Sequence, residues 1–276
     1  MTDATAAFAC NSYSYIFSED AERCIAHLAT LGFAEFELMM YPGHLWPAET
    51  DAGARRALRQ AVEANGQRII SLNMPNIDIN VAGGTAEMRR YSLGILTDIV
   101  RLAGDLGVPG VVIGPGKVNP LFPAPREVLV GHFHAALDEL TPLAAAAGTT
   151  LLVENMSFAF LPKIDELLLA IDAYGRDDIG IVFDVANSHF VGEALGPALL
   201  RCSPRLKLVH LSDTDRSTYR HAAIGEGTVR FGELPSALLA AGYDGPLVLE
   251  IIANDADRAI ADGAARLAAL GIGRKP

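Results

Sequence analysis

The sequence predicts an α/β protein, a single (β/α)8 barrel domain that spans residues 1–276. Eight short apolar segments alternate along the chain with eight segments of helical periodicity. The apolar segments are near-continuous hydrophobic runs, as in parallel strands that helices cover on the outside. Four consecutive segments carry a possible metal ligand at or near their ends, at intervals of 30, 26 and 40 residues: Glu154, Asp184, His210 and Glu250. Because one βα unit takes about 30 or more residues, each interval corresponds to one unit.

The first half of the chain supplies four strand–helix units. The strands are FACNSYSY (8–15), FAEFELMM (33–40), RIISLNM (68–74) and GVVIG (110–114). The first helix is predicted over 19–32, after the candidate cap Ser18. Glycines end this helix and the two helices predicted over 50–66 and 126–147. A long amphipathic helix, 86–106, follows the loop DINVAGGT, and the proline-rich loop PGKVNPLFPAP leads into the fourth helix.

The second half repeats the same alternation. The predicted strands are 149–155, 179–184, 206–211 and 246–251, and the predicted helices are 164–173, 194–201, 233–241 and a closing helix. A long loop joins the seventh strand to residue 231. No linker, charge run or low-complexity tract divides the chain, so we expect one domain.

Composition narrows the classes of partner. The net charge of −11 argues against a nucleic-acid surface, which needs clustered lysine and arginine. The three cysteines, Cys10, Cys24 and Cys202, lack CxxC spacing, which fits a reducing cytoplasm better than a disulfide framework. No signal-peptide pattern and no apolar run of about 18 residues is present, so we expect a cytoplasmic protein without a membrane partner. The sequence leaves open whether the chain forms a homodimer or a homotetramer.

The four strand-end residues predict a metal site. A single carboxylate at a strand end is usually a solvated rim residue or a helix cap, and a lone histidine is usually structural. Four such residues in register are harder to explain in that way, because the carboxyl ends of barrel strands meet at one rim. Burying Glu154 and Glu250 costs several kcal/mol per uncompensated charge, and a cation offsets that cost. Three carboxylates and one imidazole form a hard, mostly oxygen site. Such a site suits Mn²⁺ or Mg²⁺, in contrast to the tetrahedral sulfur sites that hold Zn²⁺.

Five motifs resemble those of the xylose-isomerase-like TIM-barrel superfamily. They are VEN with Glu154, FDVANSHF with Asp184, VHLSDTDR with His210, HAAIGEGTVRF with His221, and VLEII with Glu250. Members of the superfamily include ketose epimerases, hydroxypyruvate isomerase, inosose dehydratase and the type IV apurinic endonucleases, and the resemblance covers essentially the whole chain. It implies one divalent cation, most often Mn²⁺ with Mg²⁺, Co²⁺ or Zn²⁺ as alternatives. The cation ligands would be Glu154, Asp184, His210 and Glu250.

The resemblance also implies three substrate-binding residues. Arg216, six residues after His210, matches the family arginine that faces substrate oxygens, although a rim salt bridge is the alternative. Asn187 stands where ketose epimerases have the histidine of an Asp-x-x-His motif, and we expect it to donate a hydrogen bond to the substrate. We rank His189 below Asn187 as a residue that contacts the substrate. For His221 we expect either loop structure or substrate contact.

The endonuclease branch fits poorly. Endonucleases of this superfamily hold three zinc ions, and their additional ligands fall here at Met74, Gly114, Asn187 and Tyr219, none of which is a normal zinc ligand. Together with the acidic composition, this makes DNA repair a remote alternative.

The resemblance favours a carbohydrate isomerase or epimerase. One glutamate would remove a proton next to a carbonyl, the other would return one, and the cation would stabilise the enediolate. The catalytic residues would then be Glu154 and Glu250. A dehydratase of the inosose type is the first alternative, because the same groups can expel a β-hydroxyl. A sugar-binding or partner-dependent barrel subunit is a more remote one.

Overall fold

Eight parallel strands close into a barrel in sequence order in the computed structural model, which describes residues 4–74 and 78–273. This arrangement confirms the predicted (β/α)8 fold. The strands are β1 (Ala9–Asn11), β2 (Glu35–Met39), β3 (Arg68–Asn73), β4 (Gly110–Ile113), β5 (Thr150–Glu154), β6 (Gly180–Asp184), β7 (Leu206–Leu211) and β8 (Leu247–Leu249). The remaining residues of the predicted domain, 1–3, 75–77 and 274–276, lie outside the described residues.

The helices surround the strands and follow the predicted order with one addition. They are α1 (Ala21–Thr30), α2 (Ala52–Ala64), α3 (Ala86–Leu106), α4 (Arg126–Ala147), α5 (Ile164–Tyr174), α6 (Val185–Phe190), α7 (Leu195–Cys202), α8 (Leu234–Ala240) and α9 (Ala256–Ala269). Left-handed glycines at Gly107, Gly148 and Gly175 end α3, α4 and α5, where a side chain would be strained. None of the helices in the described ranges has the length and apolarity of a membrane span.

The addition, α6, begins directly at the end of β6. Asp184 accepts a hydrogen bond from the backbone nitrogen of Asn187 and so caps the helix while it closes the strand. We did not predict α6, since six residues are too few to show a helical period. The first and last strands are also shorter than predicted. Residues Tyr13–Tyr15 form a 3-10 turn instead of strand, and Glu250 lies one residue beyond β8.

The barrel interior is filled by a separate apolar layer, which we call the apolar floor. It consists of Ala9, Ile70, Val112, Leu152, Val182, Leu208 and Val248, all buried. Four of these residues stand two positions before a predicted metal ligand. Because side chains two residues apart on a strand point to the same side, the four ligands lie directly above the floor, at the carboxyl ends of the strands.

Candidate metal centre and active site

The four predicted ligands meet at one point. Glu154 and Asp184 are the last residues of β5 and β6, His210 is the penultimate residue of β7, and Glu250 follows β8. Each offers one ligand atom, and these atoms all lie within 4.8 Å of one another. The four residues are buried. The structure therefore brings together, from four neighbouring strands, the cluster that the sequence spacing predicts.

Three atoms of the cluster lack a hydrogen-bond partner. They are Asp184 Oδ2, His210 Nδ1 and Glu250 Oε2, and among the described residues only two other buried side-chain atoms share this property. His210 Nδ1 lies 3.2 Å from Glu250 Oε2, 3.7 Å from Glu154 Oε1 and 3.8 Å from Asp184 Oδ2. An unsatisfied buried polar group costs about 1–3 kcal/mol, and more if it is charged. Three carboxylates and one imidazole nitrogen around one point fit a divalent cation.

Burial also disfavours charge on two of the carboxylates. Burial, helped by the neighbouring Glu154 and Glu250 and opposed by two histidines, raises the pKa of Asp184 to about 8. Burial likewise raises the pKa of Glu250 to about 7. Protons thus reduce the negative charge of the metal-free cluster. A cation that binds there must displace them, so we expect metal affinity to increase with pH.

Glu37, in the middle of β2, holds His210 from the opposite side. Its Oε1 lies 3.1 Å from His210 Nε2, and the carboxylate also accepts hydrogen bonds from Asn11 (2.6 Å), Ser71 (2.7 Å) and Asn73 (3.2 Å). Burial alone would raise the pKa of Glu37, but His210 and these donors lower it below its ordinary value. A carboxylate on one ring nitrogen turns the other, Nδ1, toward the cluster, where it can bind a cation once it has lost its proton. Glu37 is therefore a functional residue that our reading of the sequence missed.

We predict that Glu37→Gln weakens the protein's affinity for Mn²⁺ by about 10–100-fold, the usual cost of changing the neighbour of a metal ligand. The amide cannot hold the His210 ring through charge, although all four cluster residues remain. Isothermal titration with Mn²⁺ measures the change. Glu35→Gln is the control, because Glu35 lies on the same strand and pairs with Arg68 away from the cluster. Equal affinities in the two variants would contradict the role of Glu37.

Asn187 lies against Glu154. Its Oδ1 accepts hydrogen bonds from the backbone nitrogen of Ser157 (3.1 Å), the Ser157 hydroxyl (2.7 Å) and the Tyr219 hydroxyl (2.8 Å). Its Nδ2 donates to Glu154 Oε1 at 3.1 Å. The amide is thus engaged within the protein at both ends and orients Glu154. Its contact with substrate stays a prediction.

His221 reaches the cluster from the loop after β7. Its Nδ1 lies 3.3 Å from Glu250 Oε2, 3.8 Å from Asp184 Oδ2 and 2.9 Å from the Ser212 hydroxyl. Its Nε2 lies 2.7 Å from the Tyr219 hydroxyl. His221 therefore stands beside the two carboxylates with unpartnered oxygens, and its contact with substrate stays a prediction.

Arg216 lies apart from the other six predicted site residues. It is exposed and lines a separate cavity of about 450 Å³ with His189, Thr228 and Arg230. His189 is engaged there, with Nε2 at 2.8 Å from the Thr228 hydroxyl, and its rank as a substrate contact stays a prediction. The sequence position of Arg216 matches the family motif, but in this structure the residue lines that separate cavity, and its contact with substrate stays a prediction.

Asp213 organises the loop that carries Tyr219 and His221. This buried carboxylate accepts hydrogen bonds from the backbone nitrogens of Thr214 (2.9 Å), Gly225 (2.8 Å) and Val229 (3.1 Å). A Cβ at residue 227 would lie 2.3 Å from both Asp213 Oδ1 and the Thr214 carbonyl oxygen, so only glycine fits there. The GEG sequence of the HAAIGEGTVRF motif is therefore explained by packing within the loop.

We predict that Asp213→Ala lowers the free energy of unfolding by about 2–4 kcal/mol, because it leaves buried backbone donors without an acceptor. Urea unfolding measures this loss. Asp215→Ala is the matched control, since Asp215 also accepts hydrogen bonds from loop nitrogens but does so at the surface. A loss in the control as large as that in Asp213→Ala would rule out a special role for the buried carboxylate.

The chain belongs to the xylose isomerase-like TIM barrel family, whose model matches residues 25–270. A relative, an uncharacterized protein of Methanocaldococcus jannaschii, is 25% identical over 186 residues, which are 66% of this chain and slightly less than two thirds (64%) of that protein. The L-ribulose-5-phosphate 3-epimerase UlaE of Salmonella paratyphi A is 24% identical over 243 residues, covering 84% of this chain and 82% of the relative. The crystal structure of a D-tagatose 3-epimerase-like protein matches with a TM-score of 0.82 at 20% identity, over 95% of this chain and 96% of that one.

Proposed function

We propose that this protein is a divalent-metal-dependent carbohydrate epimerase that inverts the carbon next to the carbonyl of a ketose. The observation that carries the proposal is the convergence of Glu154 and Glu250 with Asp184 and His210 on one buried point. Relatives and structural neighbours named as 3-epimerases of ketoses or their phosphates support the substrate class. The proposed site residues are the seven that the sequence predicts, including Arg216, which lines a separate cavity in this structure.

The two glutamates are suited to act as acid and base. They reach the site from β5 and from the end of β8, which are three strands apart in the barrel, so they approach a bound sugar from different directions. Asn187 holds Glu154 through Oε1, and Asn11 lies 3.5 Å from Glu250 Oε1. One carboxylate removes the proton from one face of the sugar, and the other returns a proton to the opposite face, which yields the epimer. A divalent cation held by the four residues would stabilise the negative charge that develops on the substrate oxygens.

Mn²⁺ is the proposed cation, with Mg²⁺ as its nearest competitor, because the oxygen-rich donor set of the cluster suits hard ions. We also propose a cytoplasmic location, since the three cysteines are free and buried and a reducing compartment keeps them so. The partner is a small carbohydrate.

Exchange of substrate hydrogen with solvent tests the function. Mn²⁺-loaded protein is incubated in D2O with a panel of ketopentoses, ketohexoses and their phosphates, and products are followed by NMR. We expect deuterium at C3 of one ketose together with its C3 epimer, and loss of both signals after treatment with EDTA. Deuterium exchange followed by loss of water would favour the dehydratase. Sugar binding without exchange would contradict the proposal and favour a binding protein.

A further inference from the structure

The Tyr219 hydroxyl lies between two residues of the site. It is 2.8 Å from Asn187 Oδ1 and 2.7 Å from His221 Nε2. Its ring is fixed by edge contacts with Phe158 (centroids 5.1 Å apart, 83°) and Phe190 (5.3 Å, 65°). Burial raises the pKa of Tyr219, so the hydroxyl keeps its proton. A single rigid hydroxyl thus joins the residue that holds Glu154 to the residue beside Glu250.

The direction of these hydrogen bonds follows from the neighbours. Asn187 Oδ1 faces the backbone nitrogen of Ser157, which can only donate, and Asn187 Nδ2 faces Glu154 Oε1, so the amide orientation is fixed. Tyr219 must therefore donate its only proton to Asn187 Oδ1. Its oxygen is left to accept from His221, which consequently carries hydrogen on Nε2. The ring then presents Nδ1 to the Ser212 hydroxyl, 2.9 Å away, and to Glu250 Oε2, 3.3 Å away.

We propose that Tyr219 is a positioning residue, whose one hydroxyl fixes the Asn187 amide on Glu154 and fixes the His221 ring with Nδ1 toward the carboxylate cluster. The geometric part of this proposal stands on the hydrogen bonds alone, and its kinetic consequence rests on the proposed function. Phenylalanine at this position keeps the ring packing but removes both hydrogen bonds. Both glutamates then lose a defined neighbour at the same time.

The geometric part is tested by NMR of the Mg²⁺-loaded protein with ¹⁵N-labelled histidine. The His221 signals are assigned by their absence in His221→Gln. We expect the pattern of hydrogen on Nε2 in the native protein and in Tyr174→Phe, a control that removes a tyrosine hydroxyl donating to Asp138 at the surface. In Tyr219→Phe we expect this pattern to be lost or mixed. An unchanged pattern in Tyr219→Phe, or a native His221 ring without hydrogen on Nε2, overturns the proposal.

The kinetic part is tested with the ketose that shows exchange. We expect Tyr219→Phe to lower kcat by about 10–100-fold, as for other changes of residues that orient a site, with KM and bound metal nearly unchanged. The double variant Tyr219→Phe/His221→Gln should lose less activity than the product of the two single losses, because the tyrosine acts partly through the histidine. A fully multiplicative loss, or a normal kcat in Tyr219→Phe, overturns it. If no ketose shows exchange with the native protein, the proposed function fails, and the NMR result still decides the geometric part.

Discussion

Glu154→Gln and Glu250→Gln should each lower kcat by about 10²–10⁴-fold, the usual cost of losing a positioned acid or base. Glutamine keeps the size of the side chain and one oxygen that can face a cation, so we expect sugar binding and most of the metal to remain. Both variants should be impaired, since removal and return of the proton need different carboxylates. Turnover and metal content are measured on the same preparations.

Solvent exchange separates the roles of the two glutamates. For a given substrate, the variant that lacks the first base should stop C–H exchange, whereas the variant that lacks the second should still exchange without forming product. Glu193→Gln is the matched control, because Glu193 is a nearly buried glutamate that bonds Ser188 outside the cluster. Near-normal turnover in either cluster variant, with metal retained, would show that these residues are ligands alone.

Replacing one of the other two predicted metal ligands should strongly weaken metal binding. We expect Asp184→Asn and His210→Ala each to weaken metal binding by more than about 10²-fold, beyond the cost of changing a ligand's neighbour. Activity should be lost in parallel, while the fold is largely kept, because barrel stability comes mainly from the strand layers and the helix shell. In Asp184→Asn the amide oxygen can still cap α6. Elemental analysis of protein purified without chelator measures the bound metal, and full metal in either variant would refute the ligand assignment.

Asp184→Asn should also change how the stability of the metal-free protein depends on pH. The folded-state pKa of Asp184 is raised to about 8, above that of an unfolded-state carboxyl, so its contribution to stability is complete in acid and is lost as pH rises toward 8. In EDTA, the melting temperature of the native sequence should therefore fall between pH 5 and pH 8 more steeply than that of Asp184→Asn. Saturating Mn²⁺ should reduce the fall, because the cation binds only the folded protein. Parallel curves for both proteins in EDTA would contradict the raised pKa.

The fold and the cluster were predictable because both depend on regular spacing. Each ligand stands at or next to the carboxyl end of its strand, and the residue two positions earlier is an apolar residue of the floor, as for Leu208 and His210. Side-chain alternation along parallel strands then brings the ligands to one side of one rim. The short helix α6 was not predicted, because its six residues are too few to show a helical period.

The supporting residues were not predictable in the same way. Glu37 pairs with His210, which is 173 positions later in the chain, and no local pattern expresses that contact. The available signal was physical: a glutamate inside the apolar strand FAEFELMM needs a partner when buried. Asp213 is a similar case, because its backbone partners become apparent only when the loop is closed. The position of Arg216, in a cavity with Thr228 and Arg230, likewise depends on how that loop closes.

The apolar floor bears on the order in which a metal ion and a sugar would bind. That layer is packed beneath the cluster, and the ligands lie directly on it. Under the proposed function, a cation and a sugar would reach the ligands from the rim side, and a bound sugar would cover the cation. We therefore expect metal to bind before substrate and to leave after product. Stripping of the metal by a chelator should accordingly become slower as the sugar concentration rises.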